Sequence, residues 1–194
     1  MKPHLLALLA AVAAPVWAQT AATPTEQILQ RNLNQAERIE QGLQSGSLTV
    51  REAGRLQRGE AQIDRLEARA LSDGSLSAQE QARVTAAQNQ ASRAIGRQKH
   101  DAQTGDPGTV SAQRMAAGVQ RSAKQQARTL AGVQQGQISS TELAQLQRGQ
   151  ARLAQRQAGA AVDGRVGAIE HGRVQRSANV QSARIHRQRQ GTPG

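Results

Sequence analysis

The sequence contains no cysteine, no phenylalanine and no tyrosine, and a single tryptophan, Trp17, among 194 residues. Without thiols there is no disulfide, no thiolate metal site and no cysteine nucleophile. Without aromatics there is no stacking platform for single-stranded nucleic acid and no aromatic-lined pocket for a small molecule. Acidic residues are scarce too: 14 Asp and Glu stand against 25 Lys and Arg, a formal net charge of +11. Long apolar runs are missing everywhere except at the start.

That one run extends from Leu5 to Val16, behind Met1-Lys2-Pro3-His4 and ahead of Trp17-Ala18-Gln19. A basic start, a short apolar stretch and small residues near the cut read as a cleavable secretory signal over residues 1–18, cut between Ala18 and Gln19. Twelve residues rise about 18 Å as a helix, short of the roughly 30 Å of a bilayer core. No Cys follows for lipid attachment. The expectation is a chain delivered to the periplasm or the exterior, with no integral membrane segment. Cleavage removes Trp17 and leaves no aromatic at all.

What remains is rich in Gln, Ala and Arg. Residues 19–194 hold 30 Gln but only 29 Ile, Leu, Val and Met. Good helix formers dominate and sheet formers are few, so the expected fold is all-α with narrow apolar seams. Charge is uneven: residues 19–100 carry 11 basic and 9 acidic residues, residues 101–194 carry 13 and 5. The second half is the cationic half. Its charge is mostly Arg, whose planar fork suits phosphate and carboxylate.

Sliding the chain by 90 residues lays Arg38–Glu80 on Arg128–Glu170 without a gap, with 16 of 43 positions identical. Leu56-Gln57-Arg58-Gly59 falls on Leu146-Gln147-Arg148-Gly149, and Asp73-Gly74 on Asp163-Gly164. This reads as an internal duplication. Within each copy a Gly, aliphatic, hydroxyl, Glu motif recurs: Gly46, Thr49 and Glu52; Gly74, Ser77 and Glu80; Gly136, Ser139 and Glu142; Gly164 and Glu170. The Gly ends one helix in the left-handed conformation, and the hydroxyl and Glu form a capping box that starts the next. Gly167 takes the hydroxyl's place in the fourth motif, so that start lacks its cap.

Between these marks apolar residues step by three and four, as in Leu29, Leu33, Ala36, Ile39 and Leu43. Helices are expected near 26–43, 50–71 and 78–99, then 112–133, 140–161 and 168–188, as antiparallel neighbours in two tandem three-helix units. The units span 26–100 and 110–189, with a Gly/Pro linker at 101–109 and disordered ends at 19–25 and 190–194. The second seam is weaker, with Arg156, Ser177 and Gln181 at the positions of Leu66, Ala87 and Ala91.

Candidate chemistry is thin. The repeated motif matches the latter half of an EF-hand loop, but its first ligands would be Gln41, Leu43 and Ser45, or Arg69, Leu71 and Asp73, too few carboxylates for calcium. His100, His171 and His186 are scattered. Glu60, Asp64 and Glu67 lie near Arg58 and Arg65 at helical spacing, which reads as solvated ion pairs on a helix face. No nucleophile motif or phosphate loop occurs, so no enzyme, cofactor or metal is expected. Candidate anion contacts are Arg148, Arg152, Arg156, Arg173, Arg176, Arg184, Arg187 and Arg189.

The run Gln41-Gly42-Leu43-Gln44-Ser45-Gly46-Ser47-Leu48-Thr49 with Glu52-Ala53 and Leu56, then Asp73-Gly74-Ser75-Leu76-Ser77 with Glu80, Asn89, Ser92-Arg93-Ala94-Ile95 and Lys99-His100, resembles a family of small exported helical proteobacterial proteins of unknown function. The resemblance covers about 65 residues of the first copy and the outline of the second. Gly96 stands where the family commonly has an aromatic residue, and the second copy lacks the Lys-His ending. It implies export and helical hairpins, and no activity. The expected role is a non-enzymatic, chaperone-like binder of unfolded or envelope proteins. The alternatives are a binder of anionic polymers (lipopolysaccharide or nucleic acid) through the second repeat, and a degenerate EF-hand-like metal sensor.

Overall fold

A computed structural model describes residues 21–191, so the expected signal and its cleavage point, and residues 192–194, lie outside the described residues. The described chain is all-α, with six helices: α1 Pro24–Gln44, α2 Val50–Ala70, α3 Ala78–Lys99, α4 Val110–Gln134, α5 Ser140–Ala160 and α6 Ala168–Arg189. None of them is long and apolar enough to cross a membrane.

The helix boundaries follow from the turn chemistry. Gly46, Gly74, Gly136 and Gly164 have φ of 73°, 91°, 66° and 83°, the left-handed backbone that a side chain resists. Thr49, Ser77 and Ser139 cap α2, α3 and α5, each in a reciprocal box with Glu52, Glu80 or Glu142. Glu52, for example, accepts from Thr49 N and Oγ1 at 2.8 Å each. Gly167 caps α6 with no side-chain hydrogen bond. A fourth box, Thr23 with Glu26, starts α1 at Pro24, so part of the segment expected to be disordered is helix. At the other end, Gln190 and Gly191 close α6 in a turn.

The expected pairing of neighbouring helices gives way to pairing between the halves. The principal partner of α2 is α5, and that of α1 is α4, while α1 and α2 barely touch. α3 closes one edge against α1 and α2, and α6 closes the other against α4 and α5. One layer therefore runs α3-α2-α5-α6, and the other runs α3-α1-α4-α6. The α2–α5 pair is antiparallel: Arg51 Nη2 donates to Asp163 O at 3.1 Å at one end, and Gln147 Nε2 to Glu67 Oε2 at 2.6 Å towards the other. Gly54 lies tight against this partner: a Cβ there would stand 2.6 Å from Ala161 Cβ.

The two larger apolar cores lie one at each end and contain residues of both halves, and a smaller one of Ile28, Ala70 and Val84 lies within the first half. Leu48, Ala53, Leu56 and Ile95 meet Met115, Val119, Ala161 and Val166. Reciprocally, Ile138, Leu143, Leu146 and Ile185 meet Leu29 and Leu71. The segment 101–109, expected as a separating linker, docks as well: Gly105 N donates to Gly46 O at 2.8 Å. The edges are fastened alike in the two halves. Gln35 Nε2 bonds Gln88 O and Ser92 Oγ, and Gln125 Nε2 bonds Ala178 O and Ser182 Oγ, all at 2.7–2.9 Å. Apolar side chains thus hold the ends, and amides hold the middle.

A candidate anion-binding face

The charges of α2 are sorted by side. Stepping 100° per residue places Arg51, Arg55, Arg58, Arg65 and Arg69 on one stripe, and all five are exposed. Glu52, Asp64 and Glu67 are buried, and Glu60 has its Oε1 sealed from solvent without a hydrogen bond. The expected solvated ion pairs are therefore absent: Glu60, Asp64 and Glu67 turn inward, away from Arg58. The reason is tertiary. The side of α2 opposite its arginines faces the interior of the bundle, so whatever lies there is buried.

Inside, amides replace cations. Asn32 Nδ2 donates to both oxygens of Glu67 at 3.0 and 2.9 Å, Gln147 Nε2 donates at 2.6 Å and Gln88 Nε2 at 3.3 Å. Burial pushes Glu67 up to about 8, against its hydrogen bond from Asn32 and with Glu60 adding to the rise. Burial likewise raises Glu60 to about 8, opposed by Arg38. Asp64 is held well above its ordinary value by burial, then by Glu67 and Glu60. Sealed amide oxygens without a protein donor stand on Gln126, Gln147, Gln150 and Gln157. Loss of solvent favours the protonated acids, and at Glu67 it outweighs amide donors that favour the charged form.

On the outside, α5 and α6 enclose a groove of about 380 Å³ lined by Arg152, Arg156, Arg173, Arg176 and Arg184 with Gly149, Ser177, Val180 and Gln181. No acidic residue lines it, and among the described residues none of the five arginines donates a hydrogen bond. Other arginines are occupied, as Arg121 is with Asn179 and Arg31 with Asn89. Gln181 forms the floor: it is 2 % exposed and donates to Leu146 O at 2.9 Å. It fits because Gly149 has no side chain; a Cβ there would collide with Gln181 Oε1. The seam position that reads as decayed is a buried amide that bonds through its nitrogen, while its oxygen has no donor.

The other candidate arginines lie elsewhere. Arg148 is exposed on the outer stripe of α5, and Arg187 is exposed beyond the groove. Arg189 donates to Gln137 Oε1 at 2.9 Å and Gln135 Oε1 at 3.2 Å, beside a separate pocket of about 220 Å³ that includes Arg128 and His186. The arginine stripe of α2 is absent from the sequence candidates. Its helical spacing was the available signal. The EF-hand-like spacing is accounted for by capping, since Glu52, Glu80 and Glu142 each bond their own cap residue. Among the described residues no three His, Asp or Glu come together to hold a metal.

The corresponding groove of the first half differs. Between α2 and α3 a space of about 410 Å³ is lined by Ile63, Leu66, Ala87, Ala91 and Ala94, with Arg65 and Arg69 at its rim. Fold and site together define an all-α bundle with an arginine-lined face. The chain matches no protein-family model, no curated protein and no solved structure.

Proposed function

We propose that this protein is a non-enzymatic binder of phosphate-bearing polyanions, which it holds in the α5–α6 groove. The observation that carries the reading is the convergence of five arginines on one open groove with no acidic residue in its lining. Guanidinium forks bond phosphate oxygens in pairs and keep their charge at any physiological pH. With residues 1–18 read as an export signal, the relevant anions are those of the envelope or the exterior. Titrating the full chain with long-chain polyphosphate at increasing salt tests this. Five neutralised phosphates give a log–log salt slope of about −3.5. Introducing the first half's residues through Arg152→Gln, Arg156→Leu and Arg184→Ala should lower affinity more than tenfold and flatten the slope by about 2. An unchanged slope in a variant with an unchanged thermal melt would refute the groove.

The apolar α2–α3 groove, with Leu66, Ala87, Ala91 and Ala94, favours a second reading as a chaperone-like binder of unfolded protein. Equimolar suppression of aggregation, abolished by Ala91→Gln, supports that reading. Suppression that survives the substitution removes it.

A further inference from the structure

We propose that the whole α3-α2-α5-α6 face docks flat on an anionic lipid surface, with the α5–α6 groove as one part of the contact. This deepens the polyanion reading and rests on it. Three observations carry it. First, the arginines extend past the groove: Arg51, Arg55, Arg58, Arg65 and Arg69 form an exposed stripe on α2, and Arg148 lies on the neighbouring stripe of α5. Arg65 Nη2 reaches Gln155 Oε1 at 3.0 Å, so the two stripes are side by side.

Second, no acid interrupts the α2 stripe, because the acids of that helix face inward. Away from its Arg51 end, where Asp163 stands, the stripe has no acid of its own helix to offset its field. Third, the array is two-dimensional. Helices of 21 residues run about 32 Å, and four of them side by side at 8–10 Å spacing make a face of similar width. A linear polymer lying between α5 and α6 would leave the α2 stripe at least one helix spacing away. Charges beyond about 8 Å are largely screened at physiological salt. A lattice of anionic headgroups engages both stripes at once, and Val180, 53 % exposed on the groove wall, faces the same way.

Two probes, one control and one variant of the full chain test this. Phosphatidylglycerol vesicles present a surface; phosphatidylcholine vesicles control for charge; long-chain polyphosphate presents a line. Arg55→Gln with Arg58→Gln and Arg69→Gln changes only exposed stripe residues. Each arginine near an anionic leaflet is worth about fivefold, so the triple variant should lose about 100-fold in vesicle partition. Its polyphosphate affinity should stay within about threefold. Equal losses on both probes, or vesicle binding that the α2 variant leaves intact, would overturn the flat-docking proposal while the groove stands. Wild-type binding to polyphosphate without binding to the vesicles would do the same. Failure of wild type on polyphosphate as well would defeat the groove reading itself.

Discussion

Helices α2 and α5 match at an offset of 90 residues and pack on each other antiparallel, yet their counterpart positions carry opposite burdens. The inner side of α2 carries Glu60, Asp64 and Glu67; the same positions of α5 carry Gln150, Ala154 and Gln157. Outward, α2 carries five arginines in one stripe, whereas α5 lends Arg152 and Arg156 to a groove shared with α6. Backbone and turns are alike, so the difference resides in side chains. One half keeps acids inside beneath an unbroken positive surface. The other has a neutral interior and a cationic cleft. Helical packing therefore sets only which positions are buried, and leaves open whether those positions are charged.

The sharpest way to break this contrast is to neutralise the interior of α2. The variant Glu60→Gln, Asp64→Ala, Glu67→Gln gives α2 the inner residues of α5. A carboxyl whose folded pKa is raised contributes stability that is fully present below its unfolded pKa and is lost as pH rises through the folded value. Glu60 and Glu67 stand at about 8 against an ordinary 4.5. Wild type should therefore be most stable near pH 4.5 and lose several kcal/mol as pH rises towards 8. For one buried carboxyl the loss is on the order of 1.4 kcal/mol for each pH unit between its unfolded and folded titrations. Chemical denaturation at pH 4.5, 6 and 8 checks this. The triple variant should show almost none of that slope and exceed wild type at pH 8. A wild-type midpoint that climbs between pH 4.5 and 8 would mean the acids are ionised and accommodated.

A smaller effect tests the close approach of the helices. Gly54 meets Ala161 at one end of the α2–α5 contact, where the reciprocal pair is Ala144 and Leu71. The Gly54 end has no room for a Cβ, since it would stand 2.6 Å from Ala161 Cβ. Gly54→Val should destabilise by about 2 kcal/mol, and a lower melting temperature by roughly 4–8 °C would report it. Ala144→Gly at the reciprocal end should cost less, because it removes one methyl and forces nothing apart. Equal effects would mean that the two ends are equivalent after all.

Local chemistry made the helices legible before their arrangement. Each Gly–hydroxyl–Glu motif is decided within seven residues, and the boundaries it implies agree with the observed ones to within two residues at nearly every end. Partner choice was not legible, because α2 satisfies the same spacing rule whether it packs on α1 or on α5. The acids were misread for a related reason: Glu60 and Asp64 lie within a turn of an arginine, and local spacing favours an ion pair. A stronger signal was present at the offset of 90. Where one half has Glu, Asp and Glu and the other has Gln, Ala and Gln, a buried side tolerating amides is the simpler reading. The groove was half visible: Arg152, Arg156, Arg173, Arg176 and Arg184 converge, whereas Arg148, Arg187 and Arg189 belong to other surfaces.

The smallest predicted effect concerns the start of α6. Gly167 occupies the cap with φ −69° and ψ 173°, a backbone any residue adopts, and offers no side-chain acceptor to the first turn. Its counterpart Ser77 takes Glu80 N on its Oγ and returns the proton of its own hydroxyl to Glu80 Oε2. Gly167→Ser should rebuild that box with Glu170, whose carboxylate tip lies against the new Cβ and is free to swing aside. The gain is a few tenths of a kcal/mol, since Gly is already a tolerated cap. Amide exchange in the first turn of α6 should slow two- to threefold while α3 stays unchanged. Because Arg173 sits six residues inside α6, a firmer start should also leave groove affinity within twofold. A larger change in affinity would show that fraying of this helix governs access to the groove.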